Sequence, residues 1–272
     1  MSWNRTTEPL PDEVASALRH TSEARGSFGD PAYYFPEIGS TNDEAARLAE
    51  LGAPEGTTVI ASAQTAGRGR FGRSWFSPPG AGLYVSVICR NRRAAPYISL
   101  AGGVAVADGI LAATGLPVDI KWPNDIVVDA GRGRRRKLAG ILAECSTSSE
   151  GLQYVVLGFG INLMSAAYPA DIADRATSLE SELGRVVDAG PVLAQTLIVL
   201  NQRLNQLAAG SANPLLERWR ELSPSALGAQ VEWDTPSGQL SGRTSGIDDD
   251  GALRVSVGGA VERIISGTLR WI

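Results

Sequence analysis

A stretch rich in arginine and glycine is the part of the sequence best suited to chemistry on an anion. Residues 64–80 read Gln-Thr-Ala-Gly-Arg-Gly-Arg-Phe-Gly-Arg-Ser-Trp-Phe-Ser-Pro-Pro-Gly, so Arg68, Arg70 and Arg73 alternate with glycines. Arginine offers a planar fork of donors that fits carboxylate or phosphate. Glycine lets backbone N–H groups come close to a ligand oxygen. The segment therefore predicts an anion-binding loop, with a solvated hairpin loop as the alternative.

A second segment, Gly39-Ser-Thr-Asn42, stands at the predicted start of a helix. Ser40 and Thr41 are typical N-cap residues, and a helix N-terminus with hydroxyl and amide groups binds small polar groups well. Capping alone also explains these residue types, so the segment by itself is a weak sign of function.

A third segment is Lys121-Trp-Pro-Asn-Asp125, where proline interrupts a predicted strand. The carboxylate of Asp125 could ligate Mg²⁺, which prefers oxygen and often bridges nucleotide phosphates. The alternative is an Asn-Asp turn that needs no ligand.

A fourth segment begins with Lys137, which stands where a loop enters the apolar run Leu-Ala-Gly-Ile-Leu-Ala. A lysine in that place can direct its amine into a cavity as a point charge, and Gly140 permits close approach of a ligand. The basic run 132–136 before it indicates the alternative, a solvated loop edge.

Short strands and helices have to position these segments. Strands are predicted over 32–35, 57–63, 83–89, 118–121, 126–129, 138–145 and 154–163, and helices over 12–20, 40–51, 97–114, 190–209 and 213–222. Several strands follow one another with hairpin-like turns, and the helices are gathered at intervals. This order predicts an α+β fold with a mixed or antiparallel sheet rather than a βαβαβ sheet.

The character of the sequence changes at Ser223-Pro224. Five short strands, separated by turn residues, are predicted over 230–233, 239–245, 253–257, 261–266 and 268–271. Such a pattern is typical of a small β-barrel. We therefore expect two domains, residues 1–222 and residues 223–272.

The composition excludes several classes of protein. The chain has 272 residues, 43% of them hydrophobic, and a net charge of −4, which speaks against nucleic acid as the main partner. Because neither a signal peptide nor a run of about 18 apolar residues is evident, we expect a cytoplasmic protein with no membrane partner. The lone His20 makes histidine-based catalysis a poor hypothesis, and Cys89 and Cys145 do not form a disulfide framework.

Taken together and in this order, the four segments resemble the biotin–protein ligase family. The matching stretches are GSTN (39–42), QTAGRGRFGRSWFSPPGAGLYVSV (64–87), KWPND (121–125), KLAGILAE (137–144) and GFGIN (158–162). The resemblance spans residues of about 32 to 180, and the C-terminal barrel fits it as well. It implies a class II synthetase-like catalytic domain that binds biotin and ATP, followed by an SH3-like β-barrel.

The resemblance also implies an activity. Members of the family form biotinyl-5′-AMP from biotin and MgATP, and then attach biotin to one lysine of an acceptor, the biotin carboxyl-carrier domain of a carboxylase. Some members carry an N-terminal DNA-binding domain. About thirty residues precede the first predicted core strand here, too few for such a domain, so we expect the catalytic-only form.

Elementary electrostatics explains why such a site needs clustered positive charge. The carboxylate of biotin must attack the α-phosphate of ATP, and both groups are anions. Two unit charges about 4 Å apart repel by roughly 1 kcal/mol in water and about 4 kcal/mol at an effective dielectric of 20. Positioning and cations, rather than an acid–base pair, are the general answer in phosphoryl chemistry, so a chain with one histidine can carry out this reaction.

The resemblance assigns roles to individual residues. It implies Lys137, Arg70 and Arg68 as catalytic residues, and Asp125 as a ligand of Mg²⁺. The implied biotin-binding residues are Ser40, Thr41, Asn42, Gln64, Arg68, Gly69, Arg70, Lys137, Gly140 and Ile141. The implied ATP-binding residues are Arg70, Arg73, Trp75, Lys121, Asn124, Lys137 and Asn162. Phe71 and the basic run 132–136 depart from the family pattern.

Three other interpretations stay open at the level of sequence. A lipoate–protein ligase has a related fold and uses the same adenylate chemistry. A non-catalytic biotin-sensing regulator or DNA-binding repressor would bind biotin without releasing pyrophosphate, and a purely structural scaffold would leave the Arg/Gly loop unexplained. The sequence does not identify the acceptor protein, and an exposed strand edge could support a homodimer.

Overall fold

The computed structural model describes residues 7–131, 134–166, 168–235 and 238–272. Arg132, at the start of the predicted basic run, lies outside the described residues. The helices are α1 (Asp12–His20), α2 (Ser22–Arg25), α3 (Thr41–Glu50), α4 (Ile98–Thr114), α5 (Leu179–Leu183), α6 (Ala189–Ala208) and α7 (Asn213–Leu222).

Two sheets hold the strands of the described chain. The larger has the strands β1 (Ala32–Phe35), β2 (Thr58–Ala61), β3 (Gly82–Cys89), β4 (Asp119–Lys121), β5 (Asp125–Asp129), β6 (Arg135–Ser148) and β7 (Gly151–Asn162). The smaller has β8 (Leu227–Thr235), β9 (Gly238–Ile247), β10 (Leu253–Val257), β11 (Ala260–Ile264) and β12 (Leu269–Trp271).

The seven-stranded sheet is mixed. Its order is β1-β2-β3-β7-β6-β5-β4, with β1 and β2 parallel and the other neighbours antiparallel. The predicted α+β class with a mixed sheet is therefore confirmed.

The long hairpin of β6 and β7 forms the middle of this sheet. Gly140 pairs with Gly160, and Leu142 pairs with Gly158. This register places two of the predicted site segments side by side. β6 is longer than the predicted strand 138–145 because its ladder with β7 continues through Thr147 into polar residues.

Helix α4 is the central helix of the core. Most of its side chains are buried, and it packs against the sheet and against α6. A Cβ at Gly102 would lie 2.8 Å from Leu157, and one at Gly109 would lie 2.5 Å from the Thr196 hydroxyl oxygen. The glycines thus allow close approach of β7 and α6, which explains why they occur within a helix.

The same helical stretch is apolar over a considerable length. Within the described residues, one stretch, 95–114, is long and apolar enough to cross a membrane by length and composition alone. Because 61% of its apolar window is buried inside the protein, it has the properties of a core helix.

The five-stranded sheet is antiparallel, in the order β11-β10-β9-β8-β12. This second sheet agrees with the predicted small C-terminal β-structure. Its inward residues Val231, Leu253 and Val255 belong to the same apolar cluster as the core around α4. The indole nitrogen Nε1 of Trp122 donates to the Gly251 carbonyl at 3.1 Å, which joins the two sheets next to the third segment. The domain boundary at residues 222 and 223 stays a prediction, since the apolar core is continuous across it.

Candidate active site

The fold brings the four predicted segments together over the β6–β7 hairpin. Asn42 at the start of α3 lies against Gly158, where a Cβ would come within 2.1 Å of its Oδ1. Trp75 from the Arg/Gly loop lies against Gly160, and Lys137 at the start of β6 contacts Asp125 at the start of β5. Segments separated by up to about 100 residues thus share one surface.

The start of α3 is held by hydrogen bonds from outside the helix. The backbone N–H and the hydroxyl of Thr41 both donate to Gln64 Oε1, at 2.9 and 3.1 Å. Ser86 Oγ lies 2.8 Å from Thr41 Oγ1 and 2.5 Å from Asn42 Oδ1. Ser40 occupies the N-cap position, but its buried side chain makes no capping hydrogen bond. Capping by Ser40 therefore does not account for this segment.

Glu144 is a hub that sequence reasoning missed. Its Oε2 accepts from Asn42 Nδ2 at 2.6 Å and from Arg68 Nη2 at 2.8 Å. Asp43 Oδ1 lies 2.7 Å from the same Arg68 nitrogen. The sequence did contain a signal for Glu144, since it is an acidic residue at the end of an apolar strand. It also lies an even number of positions from Gly140, which places both residues on the same face of β6. The hub fixes the first arginine of the loop to α3 and β6.

Lys137 and Asp125 form an ion pair beneath Trp75. The distance from Lys137 Nζ to Asp125 Oδ1 is 2.5 Å, and Nζ lies 5.1 Å from the centroid of the Trp75 ring. Gly140 leaves room for both neighbours, since a Cβ there would lie 3.1 Å from Trp75 and 3.2 Å from Lys137. The ammonium group is therefore positioned by a carboxylate and an aromatic face.

Trp75 packs on a floor formed by glycines. Its Nε1 is buried and has no hydrogen-bond partner among the described residues. A Cβ at Gly160 would lie 2.4 Å from that nitrogen. The glycine–glycine pair of β6 and β7 thus makes room for the Trp75 ring.

We expect Gly160→Ala to displace Trp75. The added methyl group overpacks the site and is expected to lower the free energy of unfolding by about 1–3 kcal/mol, measured by urea denaturation. In Gly103→Ala, the matched control, the new Cβ meets Ile120 at 3.5 Å, an ordinary contact, so its stability should be retained. Equal stability of the two variants would contradict the packing described here.

Among the three arginines of the loop, Arg70 is the one whose guanidinium group is available to bind a ligand. It is half-buried, it lies 5.0 Å from the Phe71 ring centroid, and it makes no hydrogen bond or ion pair within the described part of the chain. Burial lowers its pKa, and the nearby negative charge of Asp125 opposes that shift. Phe71 itself is exposed and has a φ of +58°, an uncommon conformation for a bulky residue.

Arg73 points away from this cluster toward the smaller sheet. Its Nη2 donates to Thr268 Oγ1 at 3.1 Å. This contact holds the end of the Arg/Gly loop against a residue that lies 195 positions further along the chain. The implied role of Arg73 in ATP binding stays a prediction.

Two asparagines of the predicted ATP set are bonded to the backbone. Asn124 Nδ2 donates to the Ile141 carbonyl at 2.6 Å, and the Ile141 N–H donates to the Asn124 carbonyl at 2.9 Å. The buried Asn162 donates from Nδ2 to the Thr177 carbonyl at 2.8 Å. In this structure both side-chain amides therefore position neighbouring segments.

The basic run is only partly solvated. Arg134 is exposed, as predicted, but Arg136 Nη2 pairs with Glu182 Oε1 at 2.8 Å. Glu182 also accepts a hydrogen bond from Thr177 Oγ1. Arg136 is thus partly exposed, as predicted, but it is also paired, because α5 supplies a carboxylate that the local sequence does not reveal.

Lys121 lies at the junction of the two sheets. Its Nζ is 5.7 Å from the centroid of the Trp271 ring. Burial, the largest cause, lowers its pKa; the charge of Asp125 opposes this shift, and those of Lys137, Arg135 and Arg175 add to it. The folded protein therefore holds this ammonium at a cost in stability.

We expect Lys121→Met to raise the stability of the protein and to lower its affinity for ATP. A folded pKa below the unfolded value of about 10.4 means that the charge penalty is full below the folded pKa and fades as pH rises through the two values. Calorimetric melting at pH 7 should therefore give a higher Tm for the variant, and the difference should shrink toward pH 10. Titration should show ATP binding weakened about tenfold, since a charged hydrogen bond contributes roughly 1.5–3 kcal/mol. A lower Tm with unchanged ATP affinity would contradict both expectations.

The donor set is compatible with a magnesium ion that is held mainly by a nucleotide. Among the described residues, no three His, Cys, Asp or Glu side chains form a metal-binding group. Mg²⁺ usually takes one or two protein carboxylates together with substrate phosphates. Asp125, beside Lys137, can be such a carboxylate.

Comparisons with known proteins place the chain among relatives of similar sequence. The sequence profile of the biotin/lipoate A/B protein ligase family matches residues 34–162. The chain is 35% identical over 240 residues to the biotin--[acetyl-CoA-carboxylase] ligase of Mycobacterium tuberculosis, covering 85% of each chain. It is 34% identical over 246 residues to the bifunctional ligase/repressor BirA of Bacillus spizizenii, covering 89% of this chain and 74% of that protein.

A solved structure shares the architecture. The biotin protein ligase from Aquifex aeolicus in complex with biotin and ATP superposes with a TM-score of 0.76 at 28% identity. The match covers 89% of this chain and 99% of that chain.

Proposed function

Because the chain belongs to the biotin/lipoate A/B protein ligase family, and within it to the biotin protein ligases, we propose that it activates biotin with MgATP and transfers it to a protein. The product of the first step is biotinyl-5′-AMP, and the acceptor is one lysine of a biotin carboxyl-carrier domain. The observation that carries the proposal is the position of Lys137 between Asp125 and the Trp75 ring, with Arg70 close enough to feel the charge of the same Asp125.

The biotin head group is proposed to bind at the start of α3. Thr41, Asn42, Gln64 and Ser86 form a connected polar network there. Uncharged donors and acceptors of this kind suit the ureido group of biotin, which carries no charge. The Trp75 ring, which packs on the glycine pair, gives an apolar wall for the ring and chain of biotin. Biotin is thereby oriented with its carboxylate toward Lys137.

In the first step, a carboxylate oxygen of biotin attacks the α-phosphorus of ATP, and pyrophosphate leaves. Lys137 and Arg70 lower the repulsion between the two anions and stabilise the charge that develops on the phosphate. Before ligands bind, Asp125 holds the Lys137 ammonium group in place. Mg²⁺, when bound with ATP, would neutralise phosphate charge, and Asp125 would hold it.

In the second step, the amine of the acceptor lysine attacks the carbonyl of the mixed anhydride. The new amide bond forms, AMP leaves with the electron pair of the broken C–O bond, and the amine loses its proton. Because water also cleaves the anhydride, the Arg/Gly loop has to cover it until the acceptor arrives. The two anchors of the loop, Arg68 on Glu144 and Arg73 on Thr268, leave Arg70 at its centre to do so.

Labelled biotin tests the proposal directly. The protein is incubated with ATP, Mg²⁺, labelled biotin and a biotin carboxyl-carrier domain, and label on the acceptor is expected only when ATP is present. An acceptor with arginine in place of its modified lysine is the matched control. Labelling with lipoate instead of biotin would show a lipoate ligase, and biotin binding without pyrophosphate release would show a sensor.

Because ATP is a co-substrate, we place the reaction in the cytoplasm. Assembly into a homodimer through an exposed sheet edge stays a prediction.

A further inference from the structure

A second cavity lies between the end of α7 and the smaller sheet. Its volume is about 400 Å³, and its polar lining comes from Arg220, Ser223, Ser245 and Arg254. It shares no lining residue with the candidate active site. Neither of the proposed reaction steps uses it.

Both arginines of this cavity are available to an anion. Arg254 is exposed and has no hydrogen bond or ion pair to any residue that the structure describes. Arg220 makes two long contacts, 3.4 Å from Nη2 to the Ile247 carbonyl and 3.6 Å to Asp249 Oδ1. The Asp249 side chain is 98% exposed. A surface pair of that kind contributes little, so a bound anion can replace it.

Two serine hydroxyls on the same cavity lack partners. The oxygens of Ser223 and Ser245 are screened from water and form no hydrogen bond within the described residues. Ser223 as a whole is 2% exposed. A buried hydroxyl without a partner is costly and calls for an explanation. Both serines line the cavity, so a change of χ1 that turned either hydroxyl toward it would give that hydroxyl an anion as partner.

We propose that this cavity binds a phosphate-type oxyanion. Two guanidinium forks and two hydroxyl donors match a group with three or four acceptor oxygens better than they match a carboxylate with two. The volume of the cavity also admits a pyrophosphate or a nucleoside monophosphate.

The neighbouring acidic residues do not cancel this positive charge. Arg263 holds Asp248 at 2.5 Å and Asp250 at 2.6 Å, so both carboxylates are already compensated. Asp249 is the remaining acid of this loop, and it projects into solvent. The C-terminal dipole of α7 opposes an anion here, because Arg220 and Ser223 stand at the end of that helix, but its charge of about −0.5 is smaller than the two guanidinium charges.

Isothermal titration at constant ionic strength tests the site. Inorganic phosphate, pyrophosphate and AMP are titrated separately into the full-length protein, with chloride as the balancing anion. Arg254→Gln and Ser223→Ala are each expected to weaken binding by tenfold or more. Arg243→Gln removes the same charge from a neighbouring exposed position outside the cavity and should change binding less than twofold.

The variants separate this cavity from the active site. Arg254 is no part of the adenylation machinery, so Arg254→Gln should keep biotin-dependent pyrophosphate release within twofold of wild type. Anion binding at the active site would survive in that variant. The ligand whose binding is weakened most in Arg254→Gln identifies the source of the phosphate group. No saturable binding of any of them, or binding unchanged in Arg254→Gln, would overturn the proposal.

Discussion

Lys137→Ala is expected to lower the rate of biotinyl-AMP formation by about 10²–10³-fold, the usual cost of removing one group that stabilises developing charge. The ammonium of Lys137 lies against Asp125 and the Trp75 ring, at the place where the two anionic reactants would meet. Its side chain is 35% exposed, so its loss leaves no buried cavity and the fold should persist.

Biotin-dependent exchange of pyrophosphate into ATP measures this step. Arg134→Ala is the matched control, because it removes one positive charge just before the same strand from an exposed side chain. Circular dichroism should show both variants folded. Near-normal exchange by Lys137→Ala would remove this lysine from the mechanism.

Arg70→Gly is expected to release biotinyl-AMP faster, by about 10- to 100-fold. Arg70 is half-buried and carries the guanidinium group of the loop that has no partner among the described residues. A charge-assisted hydrogen bond to phosphate contributes about 1.5–3 kcal/mol, and each 1.4 kcal/mol corresponds to a factor of ten. Without this side chain, the loop loses its clamp on the adenylate.

The release rate is measured on protein that has been loaded with labelled biotinyl-AMP and then mixed with an excess of unlabelled biotin. Arg70→Lys keeps the charge but not the planar fork, so it should lie between the parent and the glycine variant. Arg92→Gly, in an exposed turn elsewhere, should release the adenylate at the parental rate. If Arg70→Gly frees no more biotinyl-AMP than the parent, the clamp role is wrong.

The elements of the fold could be predicted because their signals are local. Strand β1 and helices α1 and α7 have the predicted bounds. The alternation of apolar runs with turn residues also predicted the strands of both sheets. The lengths of the strands were harder to predict from the sequence. β6 extends through polar residues because β7 pairs with it, and that pairing depends on the tertiary structure.

The clustering of the site segments agrees with the resemblance, but their connections were not predictable. Arg68 is held by Asp43 and Glu144, and the partner of Arg73 is Thr268, just before β12 of the second sheet. These contacts join positions 25 to 195 residues apart. A single sequence carries no periodicity that could reveal them. In the structure the arginines of the loop differ in their contacts: Arg68 and Arg73 are hydrogen-bonded to other segments, and Arg70 has no hydrogen-bond or ion-pair partner among the described residues.

The structure of the protein with biotin and a non-hydrolysable ATP analogue tests the central claim most directly. Lys137 Nζ and the Arg70 guanidinium should lie within about 3 Å of oxygens of the biotin carboxylate or the α-phosphate, with Lys137 released from Asp125. Ligands bound elsewhere, with both side chains directed into solvent, would contradict the claim that these two cations bring the reactants together.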